Sequence, residues 1–256
     1  MPWDPDRYNL FKNEREAPFG DLLALVDKKP GLQAVDLGCG SGELTERLAN
    51  ALPQSKVVGI DNSPEMLERA RGLAREGLSF EMRPIELLSG RWDLVFSHAA
   101  LQWVENHERL IPWLLDKIKP GGQLVVQVPS NHDHKTHSLI TRIALEEPFK
   151  SALGGWTRRS PVLLIDRYAQ ILFEAGAENI TVYEKIYPHV LKDADALADW
   201  TAGTALVPYF DRLAPDMCDT FMDIYRGRLR AAFPGTPVFY GFKRTLIAAT
   251  KPQVSR

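Results

Sequence analysis

Cysteine is scarce: the chain has only Cys39 and Cys218, which match no C-x-x-C pattern. The opening MPWDPDRYNLFKNERE has no apolar core of the kind a signal peptide carries. No apolar run approaches the ~18 residues that a membrane helix needs, so no membrane partner is expected. These absences point to a soluble protein of the reducing cytoplasm. An excess of one charge is missing too: 31 Lys and Arg stand against 33 Asp and Glu, for a net charge of −2. That balance gives no overall positive field for a nucleic-acid backbone, and nucleic acid is not an expected partner. Internal repeats, low-complexity segments and long linkers are absent as well, so the 256 residues fit one enlarged domain over 1–256 better than two independent ones.

What is present is an alternation. From Gln33 to Val128 short β-branched runs (AVDL, KVVGI, LSFEM, WDLVF, QLVVQV) alternate with segments of helical period, the pattern of a doubly wound parallel α/β sheet. One helix carries Leu44, Leu48 and Leu52 on one face. The next starts at Ser63 as cap, with Pro64 at the first helical position and Met66, Leu67, Ala70, Leu73 and Ala74 as its buried face. HERLIPWLLDKI reads as a further helix, and KPGG as the turn before the fifth strand. Beyond Pro129 come a polar stretch SNHDHKTH, a helix around VLLIDRYAQILFEAG, a strand NITVYEKIYPHV, a helical block over 192–233 and a last strand FKRTLIAAT. The segments 130–160 and 192–233 read as cap insertions, a lid that excludes water.

The stretch AVDLGCGSGELTERL sets three glycines between a strand and a helix, so a ligand is expected close to the backbone. A dinucleotide fingerprint requires a third glycine at position 43, where Glu43 stands in the first helical turn and repels a pyrophosphate. Asp36, at the end of the preceding strand, suits a cation instead. Nineteen residues after Gly42, Asp61 is placed to accept hydrogen bonds from both hydroxyls of a ribose. A nucleoside without phosphates and with a cationic tail satisfies both acids.

DLGCGSG at 36–42, DNSPEML at 61–67, WDLVFSHAALQWV at 92–104 and KPGGQLVV at 119–126 together resemble the class I S-adenosylmethionine-dependent methyltransferases. That resemblance implies a Rossmann-like, mostly parallel sheet of seven strands, the last one antiparallel, with a helical cap inserted before the last strand. It also implies S-adenosylmethionine as cofactor, with S-adenosylhomocysteine as product. Within the family, the N-terminal WDPDRYNLF, the run from LQWVENHERL to QVPSN, RYAQILFEAGAENITVYEKIYPHVL and DWTAGTALVPYFDRL look like the bacterial enzymes that esterify one carboxylate of trans-aconitate. A small tricarboxylate is the implied acceptor.

Carried over, Gly38, Cys39 and Gly40 form the loop beneath the methionine moiety, Asp36 faces its charge, and Asp61 holds the ribose. Asn62 and Met66 line the adenine, Ile85 offers its backbone to it, and the Ser97 backbone reaches the amino group. Pro84 stands where the family often has an acid near the adenine amine, which leaves either Glu86 or backbone groups to meet that amine. Tyr8 and Arg15 lie on a segment that folds over the cofactor in this family.

A carboxylate is already a nucleophile near neutral pH, so no catalytic acid or base is expected; orientation and desolvation dominate. On the acceptor side the candidates are Trp103, His132, Arg159 and Arg244, with Arg158, Arg226, Arg230 and Lys243 as further cations. The histidine run His132, His134 and His137 reads as solvent-facing, without a metal. Cys39 reads as a small loop residue, and Trp200, Tyr209 and Phe210 as packing within the cap. A different acceptor stays open: a carrier-bound carboxyl, or a hydroxyl that needs His98 or His132 as base. So does a module that binds the cofactor or an acidic metabolite without turnover.

Overall fold

The computed structural model describes residues 12–253, with side chains from residue 17 onward. The β-branched runs form β1 (Gln33–Leu37), β2 (Lys56–Asp61), β3 (Leu78–Met82), β4 (Trp92–His98) and β5 (Ile118–Pro129), followed by β6 (Glu178–Leu191) and β7 (Val238–Thr250). One sheet holds all seven in the order β3-β2-β1-β4-β5-β7-β6. The pairings among β1 to β5 are parallel, and β7 runs antiparallel to β5. This is the expected doubly wound α/β sheet, with its last strand antiparallel and its helical block between β6 and β7.

In chain order the helices are α1 (Lys12–Ala24), α2 (Glu43–Ala51), α3 (Pro64–Arg71), α4 (His107–Asp116), α5 (Lys135–Ala144), α6 (Phe149–Ala152), α7 (Ile165–Glu174), α8 (Ala194–Ala202), α9 (Val207–Phe210) and α10 (Pro215–Ala232). At the start of α3 the Ser63 hydroxyl accepts from the Met66 N–H at 3.3 Å, with Pro64 in the first turn, as the sequence implies. Its end differs from expectation. Gly72 closes α3 at Arg71, and the chain turns so that Arg75 bridges to Leu78; Leu67 and Ala70 are buried, whereas Ala74 is exposed. KPGG is likewise no separate turn. It lies inside β5, where Gly121 at φ +78° lets the β4 partner jump from Trp92↔Ile118 to Leu94↔Gln123. The polar stretch after Pro129 hides a helix start, since the His134 ring accepts from the Thr136 N–H and caps α5.

Two compact units divide the chain. One comprises Pro18–Pro129, Pro161–Lys185 and the chain from Arg244 onward. Its sheet buries alternate residues on opposite faces, the period-2 consequence of the pleat. Val35, Val95 and Val126 pack with Leu114, Tyr168 and Leu172. Ala34, Phe96, Val125 and Leu246 pack with Phe19, Leu22 and Leu48. The other unit comprises, among the described residues, Ser130–Ser160 and Ile186–Lys243. It has its own core, in which Phe149, Trp200, Phe221, Tyr225 and Tyr240 are buried. No described helix is long and apolar enough to cross a membrane.

Candidate active site

The strand order reverses between β1 and β4, and at such a switch point the connections diverge to opposite faces and open a crevice at the strands' carboxyl ends. The glycine loop leaves β1 there. Gly38 and Cys39 both donate backbone N–H bonds to the Ile60 carbonyl, at 2.8 and 3.0 Å. The Asp61 carboxylate accepts from the Gly40 N–H on one oxygen and from the Ser63 N–H on the other, each at 2.9 Å. Asp61 therefore fixes the loop as well as its own turn, and its remaining lone pairs stay available to hydroxyl donors.

The three loop glycines are constrained differently. A Cβ on Gly38 would sit 2.2 Å from the Ala100 Cβ, and one on Gly42 would sit 2.9 Å from Phe80 and Ala70. Gly40, at φ +54°, has nothing within 4 Å of the same position. Packing against the protein's own atoms explains two of them; at Gly40 the missing side chain leaves open space for a ligand.

Asp36 is 3% exposed, and its carboxylate accepts from the Thr45 hydroxyl at 2.6 Å. Burial pushes its pKa up to about 7, against the pull of the Thr45 bond and with a further push from the Asp61 charge. An acid poised near neutrality exchanges its proton for a cation at little cost. The same burial, with both acids beside it, drives the Cys39 thiol far above its ordinary range, so this cysteine is no nucleophile. The buried Ser97 hydroxyl donates to the Leu37 carbonyl at 3.0 Å and pins the end of β4 to β1. Ile85 is buried at the head of a short 3-10 turn, Met66 is half-buried, and Asn62, Pro84 and Glu86 are exposed. Tyr8 and the side chain of Arg15 lie outside the described residues.

Of the acceptor-side candidates, Arg244 is 4% exposed and lies inside β7 opposite Pro129, not at the start of that strand, which begins at Val238. Trp103 is 53% exposed, at the end of a 3-10 turn after β4. In the other unit Arg159 is exposed, and the His132 Nε2 lies 3.3 Å from an Asp133 carboxylate oxygen. Arg226 and Arg230 are tied to Asp199 and Asp195 at 3.0 and 2.9 Å, which removes both from the list of available cations. No group of three or more His, Cys, Asp or Glu able to hold a metal occurs among the described residues.

Residues 28–175 match the family model of a methyltransferase domain. A trans-aconitate 2-methyltransferase of Deinococcus radiodurans is 48% identical over 260 residues, 99% of this chain and 100% of the relative. This chain belongs to the trans-aconitate 2-methyltransferase family. A second member, from Streptomyces coelicolor, is 39% identical and covers 99% of this chain and 88% of its own length. The family assignment draws on the whole chain, whereas solved structures share the fold alone. The YcgJ protein of Bacillus subtilis superposes with a TM-score of 0.60 at 13% identity, over 93% of this chain and 100% of its own. A Haemonchus contortus phosphoethanolamine N-methyltransferase crystallised with S-adenosyl-L-methionine gives 0.52 at 18% identity, over 91% of this chain and 53% of its own.

Two polar side chains near this site were not read as site residues from the sequence. Thr45, on α2, is the sole hydrogen-bond donor to Asp36 among the described residues and so helps set how firmly that acid holds its proton. Gln127 interrupts the apolar run LVVQV and is 0% exposed. The interruption was the available signal, because a polar residue inside a buried parallel strand requires a partner.

Proposed function

We propose that the protein transfers a methyl group from S-adenosylmethionine to one carboxylate of trans-aconitate, giving the monomethyl ester and S-adenosylhomocysteine. The observation that carries this reading is the 48% identity spanning both chains almost completely, because it extends past the cofactor-binding domain into the segments that distinguish one acceptor from another. Bound S-adenosylmethionine supplies an electrophilic methyl group on a sulfonium.

The residues fit that cofactor. Asp61, held by two N–H groups, receives the ribose hydroxyls; Asp36 opposes the cationic end; Gly40 leaves room at the loop. Gly38, Cys39 and Ser97 complete the backbone frame, with Asn62, Met66 and Ile85 on the adenine side. Arg244 and Trp103 serve the acceptor. No side chain needs to remove a proton, because a carboxylic acid of pKa about 4 is ionised at neutral pH. His98 supports this: burial, with Arg244 and Arg47 nearby, presses its pKa down to about 3, too low for a base that activates a hydroxyl. A small-molecule partner in the cytoplasm, without nucleic acid or membrane, completes the reading.

The test is incubation with isotopically labelled S-adenosylmethionine and a panel of di- and tricarboxylic acids, with mass spectrometry of the products. Labelled trans-aconitate monomethyl ester is the expected product. Its absence, with label on a hydroxyl or on no acid at all, refutes the reading.

A further inference from the structure

The carboxyl edge of the sheet carries a second polar group of residues on the face that holds Asp36. Cross-strand register places them: Asp36 pairs with Phe96, His98 with Gln127, Gln127 with Leu246, and Pro129 with Arg244. Residues two apart on a strand share a face, so Asp36, His98, Gln127 and Arg244 all lie on the side covered by Phe19, whose ring meets both Phe96 and His98 edge-on at 5.8 Å.

Gln127 is completely buried, yet neither its carboxamide oxygen nor its nitrogen has a hydrogen-bond partner among the described residues. The Nε2 of His98, sealed from solvent beside it, has none either. Buried amides are nearly always satisfied, so an orphaned carboxamide N–H and an orphaned ring nitrogen on adjacent strand ends, at the edge where ligands bind, indicate that an external acceptor completes them. The local field gives its sign. Arg244 and Arg47 both act on His98 as positive charges, a field that favours an anionic acceptor there.

We propose that Gln127 and His98 form a carboxylate subsite for the acceptor at the ends of β4 and β5, with Arg244 supplying the charge. The Gln127 carboxamide donates N–H to one carboxylate oxygen, and the neutral His98 imidazole donates from Nε2 to the other. Neutral donors suit this reaction. An imidazolium could surrender its proton to the carboxylate and leave a poorly nucleophilic carboxylic acid, whereas a carboxamide cannot. Arg244 attracts the anion and, being permanently charged, never protonates it either. The ligand class is a small di- or tricarboxylic acid, an identity that rests on the function proposed above.

The test uses Gln127→Leu and Gln127→Met, the second close to the native side chain in length. Each removes an unsatisfied buried amide, so thermal stability without ligand should hold or rise. The dissociation constant of S-adenosylhomocysteine should stay within twofold, while that of trans-aconitate, measured by calorimetry on the S-adenosylhomocysteine-loaded enzyme, rises about tenfold to a hundredfold. In parallel, the imidazole NMR signal of His98, identified by its loss in His98→Asn, should shift when trans-aconitate is added to the loaded wild-type enzyme. Unchanged acid affinity in both folded variants, or a stationary His98 signal at saturating acid, overturns the subsite. A wild-type enzyme that methylates trans-aconitate with Gln127 variants equal to it leaves the function standing and removes the subsite. A panel acid that moves the His98 signal and loses affinity in the variants, without being methylated, does the reverse.

Discussion

As the cation's partner proposed above, Asp36 should make cofactor binding a proton-linked event, and the size of the linkage follows from its position. With a pKa near 7, the buried carboxyl is about half ionised at pH 7 and roughly 3% ionised at pH 5.5. A cationic cofactor binds the ionised form, so the apparent affinity for S-adenosylmethionine should fall about 16-fold between pH 7 and 5.5, about 1.6 kcal/mol. Binding at pH 6 should release close to one proton. The cofactor's own α-amino group, with an ordinary pKa near 8, stays protonated through this window and adds little. Isothermal titration at pH 5.5, 6.0, 6.5 and 7.0, in two buffers of different ionisation enthalpy, reads both the dissociation constant and the proton count. Asp36→Asn removes the titrating group and should give weaker, pH-independent binding with no buffer dependence of the enthalpy. A wild-type dissociation constant constant within twofold from pH 5.5 to 7, with no proton released, refutes the assignment of Asp36 as the cation's partner.

The same residue changes acid stability with the opposite sign from two histidines. Asp36, raised, contributes stability that is present below its unfolded pKa and lost as pH rises through about 7; His98 and His137, lowered to about 3 and about 4, contribute stability present above 6.5 and lost as pH falls. From these three groups the net between pH 6 and 5 is one proton, about 1.4 kcal/mol of stability lost per pH unit as pH falls, and His107 and His134, also lowered by burial, add in the same direction; Asp36→Asn should steepen the dependence by about one further proton, and urea unfolding with an unchanged slope in the variant contradicts the account. Gly38→Ala drives a Cβ into Ala100 and should lower the melting temperature sharply, whereas Gly40→Ala meets only its positive φ and should keep the fold while weakening cofactor binding; equal melting temperatures would falsify this division of roles. Asp61→Ala should cost about 1.5–3 kcal/mol of cofactor binding and also loosen the loop that Gly40 and Ser63 anchor, so calorimetry and thermal melts should both respond.

The half of the site that depends on short-range order was legible before the fold. The D-x-G-x-G-x-G run, the acid at 61 and the capped helix at Ser63 are local devices, and each stands where its spacing implies. The reach of α3 was misjudged because apolar periodicity continues through Leu73 while Gly72 and Gly77 turn the backbone, and periodicity does not register the turn. The acceptor side was harder to read because it depends on non-local register. Arg244 stands next to β5 only through its antiparallel pairing with Pro129, some hundred residues away in sequence, and Gln127 gains its meaning from His98 on the neighbouring strand. Arg226 and Arg230 show the converse. Their spacing on one helix suggested a cationic face, but Asp199 and Asp195 already neutralise them.

Taken along the sheet edge, the charges are sorted. Asp61 and Asp36 stand on β2 and β1, the neutral His98 and Gln127 on β4 and β5, and Arg244 on β7, in the order of the strands themselves. Transfer of a methyl group from a sulfonium to a carboxylate destroys one positive and one negative charge, so its transition state is less charged than its reactants and gains from a site poor in water. A site of that kind opposes the entry of both ions unless each meets its own counter-charge. The sorted edge provides these at opposite ends and keeps formal charge away from the carboxyl ends of β4 and β5 between them. His98 held neutral is then necessary: an imidazolium there would stabilise the ground-state carboxylate, whose charge is lost in the reaction, and repel the sulfonium. His98→Arg, whose guanidinium stays charged even when buried, should therefore tighten acid binding while lowering kcat by an order of magnitude or more. Parallel measurement of acid affinity and of single-turnover rate separates the two effects; a variant that binds the acid more tightly and turns it over as fast as the parent shows that charge sorting plays no part in the chemical step.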